Sequence, residues 1–311
     1  MAVTLNNRTL VTVYGGSGFL GRYLVRAIAR TGARVRVAVR RPDLAGHLQP
    51  LGGVGQIVPV QANVRYPHSL VTAAEDADAV VNLVGILFAS GKQTFKTVQD
   101  EGARNVAEAA KAAGVSTFVH VSAIGANADS PAIYAQSKAA GEAAAKDIYP
   151  DATIVRPSVV FGPEDEFFNR FGAMAQMFPA LPLIGGGHTK FQPVFVGDVA
   201  QSLVAAIERR TKTDAPYELG GPEVLSMRDV MERVLAYTMR SRPLIPLPFW
   251  LAKLQGAFLQ WLPKPPLTID QVRLLEDDNV VSEAAIKDGR TLQGLGIKPV
   301  PVASVVPDYL E

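Results

Sequence analysis

A chain of 311 residues, 48% of them hydrophobic and 19% charged, has room for one doubly wound α/β domain and a smaller appended one. Its 31 basic and 29 acidic side chains nearly cancel, and no basic stripe marks a nucleic-acid partner. The absence of cysteine excludes disulfides, thiolate metal sites and a cysteine nucleophile. The first ten residues lack the layout of a secretory signal, and no run approaches the roughly 18 apolar residues that span a bilayer.

Short apolar runs alternate with helical patterns from the start, the rhythm of βα units around a parallel sheet. Strands are expected at residues 10–14, 34–39, 56–60, 79–84, 117–122 and 152–156. Helices are expected at 19–31, closed by Gly32, and at 101–113, closed by Gly114. Past Arg156 proline and glycine become dense, and the alternation returns only at 192–209 and 217–220. The fold class is therefore a Rossmann sheet with a smaller C-terminal domain. Residues 1–160 form the dinucleotide-binding domain, completed by 190–220, and 161–189 with 221–311 form the second domain.

The first strand runs into YGGSGFLG, whose glycines have the spacing Gly15-x-x-Gly18-x-x-Gly21. Gly15 permits a tight turn, Gly18 lets a pyrophosphate approach the backbone, and Gly21 lets the helix pack close. The helix N-terminus then offers N–H groups to phosphate, with Ser17, Phe19 and Leu20 beside it. About 20 residues on, an NAD-binding domain usually presents a carboxylate to the adenosine 2′-hydroxyl. This chain presents Arg40 and Arg41, which suit a 2′-phosphate and hence NADP(H) over NADH, unless they are merely a solvated strand end. Topology places Asn63 and Val64 beside the adenine, and Leu83, Val84 and Gly85 along the cofactor's path.

Tyr134 and Lys138 stand four residues apart in YAQSKAAGEAAA, on one face of a helix, and Ser122 ends the fifth strand at the sheet's ligand-binding edge. As a proton-transfer set, Lys138 holds the nicotinamide ribose and lowers the Tyr134 pKa, Tyr134 is the acid or base, and Ser122 binds the substrate oxygen. A surface lysine beside a half-buried tyrosine is the plainer reading. The four histidines, His47, His68, His120 and His188, show no metal-ligand spacing, so no metal is expected. His188 sits in a glycine-rich loop read as mobile.

With these motifs in chain order, the sequence resembles the short-chain dehydrogenase/reductases in their extended or atypical branch. GGSGFLG, the Ser122/Tyr134/Lys138 set, RPSVVFGPED and QPVFVGDVA carry the resemblance across residues 9–220. It implies that Pro157 backs the nicotinamide, and that Tyr134 and Lys138 touch the cofactor whether or not turnover occurs. Asn63 stands where the family commonly has aspartate, and only 11 residues separate Ser122 from Tyr134, which argues against a sugar-nucleotide substrate. GGSGFLGRYLVRAIA, VNLVGILF, FGPEDEFFNRFG and LTIDQVRLLEDDNVVS are similar to bacterial relatives of the NADPH-binding accessory subunit of respiratory complex I. That resemblance implies a structural dinucleotide, complex I subunits as partners, and a cytoplasmic location, including the cytoplasmic face of the inner membrane. An active oxidoreductase or epimerase acting on a small carbonyl or hydroxyl compound, and a redox-sensing regulator, are the alternatives.

Two further segments bear on partners. Residues 246–263, PLPFWLAKLQGAFLQWLP, read as an amphipathic helix with Leu247, Trp250, Leu251, Leu254, Phe258, Trp261 and Leu262 in one sector. Packing onto the second domain's own core is the favoured reading, and contact with a membrane surface, with Lys253 reaching outward, is the other. The acidic, aromatic run 164–168 is either a partner-docking loop or a loop with its phenylalanines tucked under.

Overall fold

In the computed structural model, which describes residues 3–209, 211, 215–263 and 265–310, the central strands are buried at every position, as in a sheet covered on both faces. The first half runs β1 (Leu10–Tyr14), α1 (Phe19–Ala29), β2 (Arg34–Val39), β3 (Ile57–Gln61), α2 (His68–Ala74) and β4 (Ala79–Asn82). It continues through α3 (Glu101–Ala112), β5 (Thr117–Val121), α4 (Ile133–Ile148) and β6 (Thr153–Pro157). Val11, Val13, Val35, Val37, Val81 and Val119 point to one face, against Leu24 and Ile28 of α1. Tyr14, Ala38, Val80 and Phe118 point to the other, against Leu70 of α2 and Val106 of α3.

The second half contributes β7 (Val160–Phe161), α5 (Phe168–Met177), β8 (Leu181–Ile184), β9 (Lys190–Phe191), β10 (Val194–Phe195) and α6 (Val196–Ile207). Then follow β11 (Tyr217–Leu219), β12 (Leu225–Ser226), α7 (Met227–Tyr237), β13 (Leu244–Leu247), α8 (Phe249–Leu259), α9 (Ile269–Leu274) and α10 (Glu283–Lys287). β11 joins the main sheet, whose seven parallel strands run β11-β6-β5-β4-β1-β2-β3. α6 covers the same face as α1, with Val199, Leu203 and Ala206 in the shared core. Around Phe161, Phe168, Leu181, Leu183, Phe191, Val230 and Val234 a separate core forms.

The chain winds outward from β1 to β3 and then crosses back to β4, which pairs with β1 on its other side. That reversal leaves a crevice at the carboxyl ends of β1 and β4, the place where open α/β sheets hold ligands. The strands and helices expected up to residue 220 are present with ends shifted by no more than two residues, the usual latitude. β4 stops at Asn82 instead of 84 because Asn82 Oδ1 accepts the Val84 N–H at 3.1 Å and turns the chain out of the sheet toward the crevice. Gly32 and Gly114 take the left-handed caps expected of them, with φ of 88° and 70°.

Candidate functional site

The glycine turn is built as its spacing requires. Gly15 has φ of 81° and donates its N–H to Ala38 of β2 at 3.0 Å, while Gly18 donates to Gly15 at 3.1 Å. A β-carbon on Gly21 would lie 2.5 Å from the Gly16 carbonyl, so the close approach at Gly21 is to the turn's own backbone. α1 begins at Phe19 with no acidic residue in its first turn and no side-chain cap, leaving a positive helix end toward the crevice.

A cavity of about 340 Å³ opens there. Its walls include Gly15, Ser17, Gly18, Phe19, Leu20 and Gly21 from the turn, Arg40 after β2, Asn63 and Val64 after β3, and Leu83, Val84 and Gly85 after β4. Among the further wall residues, Arg65 and Gln93 carried no signal in the sequence. Gln93 accepts a hydrogen bond from Arg40 across 53 residues of chain. Asn63 folds its Oδ1 back onto the Arg65 N–H at 3.2 Å, and its own N–H goes to Ser69 Oγ at 2.9 Å, which fixes the loop that carries Arg65.

Arg41 stands apart from this set. It lies outside the cavity walls, exposed, and forks onto Asp43 with bonds of 2.9 and 2.6 Å. Successive residues at a strand end point to opposite sides, so only one of the two arginines faces the crevice.

Ser122, Tyr134, Lys138 and Pro157 also lie off the cavity walls, but Tyr134 and Lys138 meet just behind it, where Lys138 bonds the carbonyl of Val121, the residue before Ser122. A side chain at Gly85 would meet the Lys138 Nζ at 3.3 Å and the Gln99 Nε2 at 3.5 Å. Lys138 is buried, donates to the Val121 carbonyl at 3.4 Å, and lies 5.8 Å from the Tyr134 ring centroid. Gln99 links the two sides: its amide donates to Ile86 O at 3.0 Å and its carbonyl accepts from Ser137 at 2.7 Å. The Ser122 hydroxyl is buried with no partner among the described residues, an orphan that costs free energy unless something else bonds to it. Pro157 ends β6 and accepts the Ile124 N–H at 3.0 Å.

Burial controls the electrostatics. It lowers Lys138 to about 8, opposed by the Glu142 carboxylate, and lowers His120 to about 3, assisted by the Lys138 charge. Burial also pushes Tyr134 up to about 12. The expected depression of Tyr134 by Lys138 is therefore not seen, because removing a phenolate from water outweighs an ammonium that lies over the ring. Tyr134 is therefore held as the neutral phenol.

The expectations for residues 246–263 also change. Residues 246–263 are not one helix, since β13 occupies their start, and α8 buries only Ala252 and Gly256. Trp250, Leu254, Phe258, Trp261 and Leu262 are exposed by 50% or more, so the large apolar side chains do not enter the core. Lys253 does not reach outward but pairs with Glu276 at 2.7 Å. In the run 164–168 Phe168 is fully buried and Glu164 binds Arg22 and Tyr23 at 2.9 Å each, so this loop fastens α1 with its phenylalanines tucked inward. Next to the glycine loop at His188, the Thr189 hydroxyl donates to the Leu275 carbonyl.

A glycine cradle at the switch point of a doubly wound parallel sheet, backed by a tyrosine and a buried lysine, defines a dinucleotide-binding protein of the Rossmann class. The chain belongs to the NAD dependent epimerase/dehydratase family, whose model matches residues 11–220. It is 36% identical over 291 residues to the mitochondrial NADH dehydrogenase (ubiquinone) 1 alpha subcomplex subunit 9 of Arabidopsis thaliana, covering 89% of this chain and 72% of that protein. It is also 36% identical over 198 residues to a ceramide reductase of Caulobacter vibrioides, covering 64% and 61% of the two chains. Among solved structures, the dTDP-glucose 4,6-dehydratase DesIV of Streptomyces venezuelae, with NAD and TYD bound, superposes with a TM-score of 0.72 at 18% identity over 97% of this chain and 96% of that one.

Proposed function

We propose that this protein is an NADP(H)-holding accessory or assembly subunit of respiratory complex I, with the dinucleotide in a structural role. The observation that carries the reading is the near end-to-end similarity to complex I subunits: the Arabidopsis relative pairs with 89% of the chain. The residues fit the group. A β-carbon at Gly15 or Gly18 would lie 3.3 Å from neighbouring atoms, Gly21 admits none, and the orphaned Ser122 hydroxyl waits for a polar partner. Gly15, Ser17, Gly18, Phe19, Leu20 and Gly21 would hold the pyrophosphate, Asn63 and Val64 the adenine side, and Leu83 to Gly85 the path onward. Ser122, Tyr134, Lys138 and Pro157 would surround the nicotinamide end. When bound, the dinucleotide supplies a hydride donor or acceptor, or simply a rigid strut between strands.

Arg40, exposed on the wall and steered by Gln93, would take the 2′-phosphate. Arg41 is already forked onto Asp43, so the preference for NADP(H) rests on Arg40. Among the described residues no helix is long and apolar enough to cross a membrane. We place the protein at the cytoplasmic face of the inner membrane, with the exposed stripe of α8 against the lipid headgroups.

Capture of the tagged protein from gently solubilised membranes should recover complex I subunits, and recovery of none would overturn the assignment. Arg40→Ala should weaken NADPH binding about tenfold or more while leaving NADH binding nearly unchanged, as loss of one charge-assisted fork implies. Equal weakening of both would overturn the 2′-phosphate reading.

A second reading, an active reductase or epimerase using Tyr134 and Lys138 on a small carbonyl or hydroxyl compound, is favoured by the ceramide reductase relative. In it Tyr134 gives its hydroxyl proton to a carbonyl oxygen while Ser122 donates a hydrogen bond to the same oxygen. Turnover by the protein that Tyr134→Phe abolishes, with cofactor affinity intact, would replace the structural reading with this one.

A further inference from the structure

The helix that carries Tyr134 and Lys138 does not cap itself. Ala132 occupies the N-cap of α4, and no side chain of the helix reaches its free N–H groups. The cap arrives from more than 130 residues away. Asp270 Oδ1 accepts the Ile133 N–H at 2.7 Å, and Asp270 Oδ2 accepts the Tyr134 N–H at 3.0 Å. One turn later in α9, Arg273 donates to the Pro131 carbonyl at 3.0 Å. A short helix of the C-terminal segment thus grips the chain on both sides of Ala132.

α9 is itself held firmly. Thr268 and Gln271 close a capping box at its start, with bonds of 3.1 and 3.2 Å. α8 seats it from behind: a β-carbon on Gly256 would lie 2.9 Å from the Ile269 nitrogen, and Lys253 pairs with Glu276 just past its end. The carboxylate of Asp270 is therefore delivered to α4 by a rigid element rather than by a free loop.

We propose that Asp270 is a positioning residue for the nicotinamide-ribose end of the dinucleotide site, acting through the first turn of α4, with Arg273 as its second fastening. The inference rests on the dinucleotide reading above. Tyr134 lies within the capped turn, so fraying of that turn displaces it directly, and Lys138 follows one turn later on the same face. A carboxylate accepting two backbone N–H groups at a helix start is a strong cap, since it meets two orphan donors and the positive end of the helix at once. Among the described residues, no hydrogen bond or ion pair joins Asp270 or Arg273 to the glycine turn, Arg40 or the β3 loop, which would hold the adenosine end.

That separation supplies the test. NADPH and adenosine 2′,5′-bisphosphate, which lacks the nicotinamide half, are titrated against the full chain and against D270A, D270N and R273A. D270A should weaken NADPH about tenfold, as loss of a strong cap implies, and leave the bisphosphate within about twofold. D270N, which keeps one acceptor oxygen, should fall between wild type and D270A, and R273A should weaken NADPH alone by a smaller factor. If D270A does not fold, D270N and R273A carry the same contrast. Unchanged NADPH affinity in the variants overturns the inference, as does equal weakening of both ligands, which is the mark of general loosening. An unmodified chain that binds the bisphosphate but not NADPH, or neither, overturns the reading of the site itself and this inference with it.

Discussion

Lys138 shows how one buried residue can set a pH dependence. Burial brings its pKa down to about 8 from 10.5. Below pH 8 it is an ammonium, and a ligand that presents hydroxyls and phosphates favours that form, so binding near and above pH 8 takes up a proton. NADPH affinity should therefore fall as pH rises from 7 to 9, by at most about tenfold per unit, and Lys138→Met should flatten the slope. Isothermal titration in buffers of different ionisation enthalpy reads the proton directly, and a pH-independent wild type would sink the idea. The effect on folding has the opposite sign. Between pH 8 and 10.5 the unfolded chain binds more protons at this lysine than the folded one, so its contribution to stability rises with pH over that window. At this scale much was legible in the sequence, because Gly15, Gly18, Gly21, Tyr134 and Lys138 declare themselves by local spacing. Gln93, Gln99, Arg65 and Asp270 did not, since each acts on a partner far along the chain or through a loop whose shape spacing does not encode.

Among the elements, α8 departs furthest from expectation. Amphipathic periodicity identifies an apolar face but not what covers it, and here the small residues Ala252 and Gly256 make the tight contact while the large ones face out. Trp250 is 68% exposed and Phe258 73%, so W250S/F258S should shift unfolding free energy by no more than about 0.5 kcal/mol each, as exposed substitutions do. Vesicles containing anionic phospholipid should nevertheless lose the double variant by tenfold or more in co-sedimentation, since each ring buried in a headgroup layer contributes about 1.5 to 3 kcal/mol. Equal sedimentation of variant and wild type would remove α8 from the proposed membrane contact. The strands of the main sheet were readable because they are short, mostly apolar runs of three to six residues between turn signals. α2, with its Ser and Thr, and two-residue strands such as β7 and β10 were not, because they are too short to show any period.

On the scale of the whole molecule, the C-terminal segment is sewn to the Rossmann sheet rather than appended to it. Asn279 receives Ser158 Oγ at 2.7 Å and Val159 N–H at 3.2 Å on its side-chain oxygen and donates to Ile124 O at 3.2 Å, while Asp278 accepts the Lys190 N–H at 2.7 Å. Sequence similarity singled out residues 267–282, but the reason for that stretch appears only when its partners from 124 to 190 are brought beside it. A buried charge cluster completes the join. Arg156 of β6 forks onto Glu142 of α4 at 2.8 and 2.7 Å and lies 3.8 Å from Glu218 of β11, whose other oxygen accepts the Ser282 N–H at the start of α10. Both carboxylates are buried, so Arg156→Ala leaves two charges without their cation and should cost about 3 to 5 kcal/mol. Arg22, whose pair with Glu164 keeps side-chain exposures of 34% and 40%, is the fitting control, because Arg22→Ala removes a single 2.9 Å bond whose two partners are partly open to solvent and should cost about 1 kcal/mol or less. Thermal denaturation of the two variants separates the cases. Equal losses would mean that the cluster is no more than another surface pair, and that the sheet, α4 and α10 are joined by packing alone.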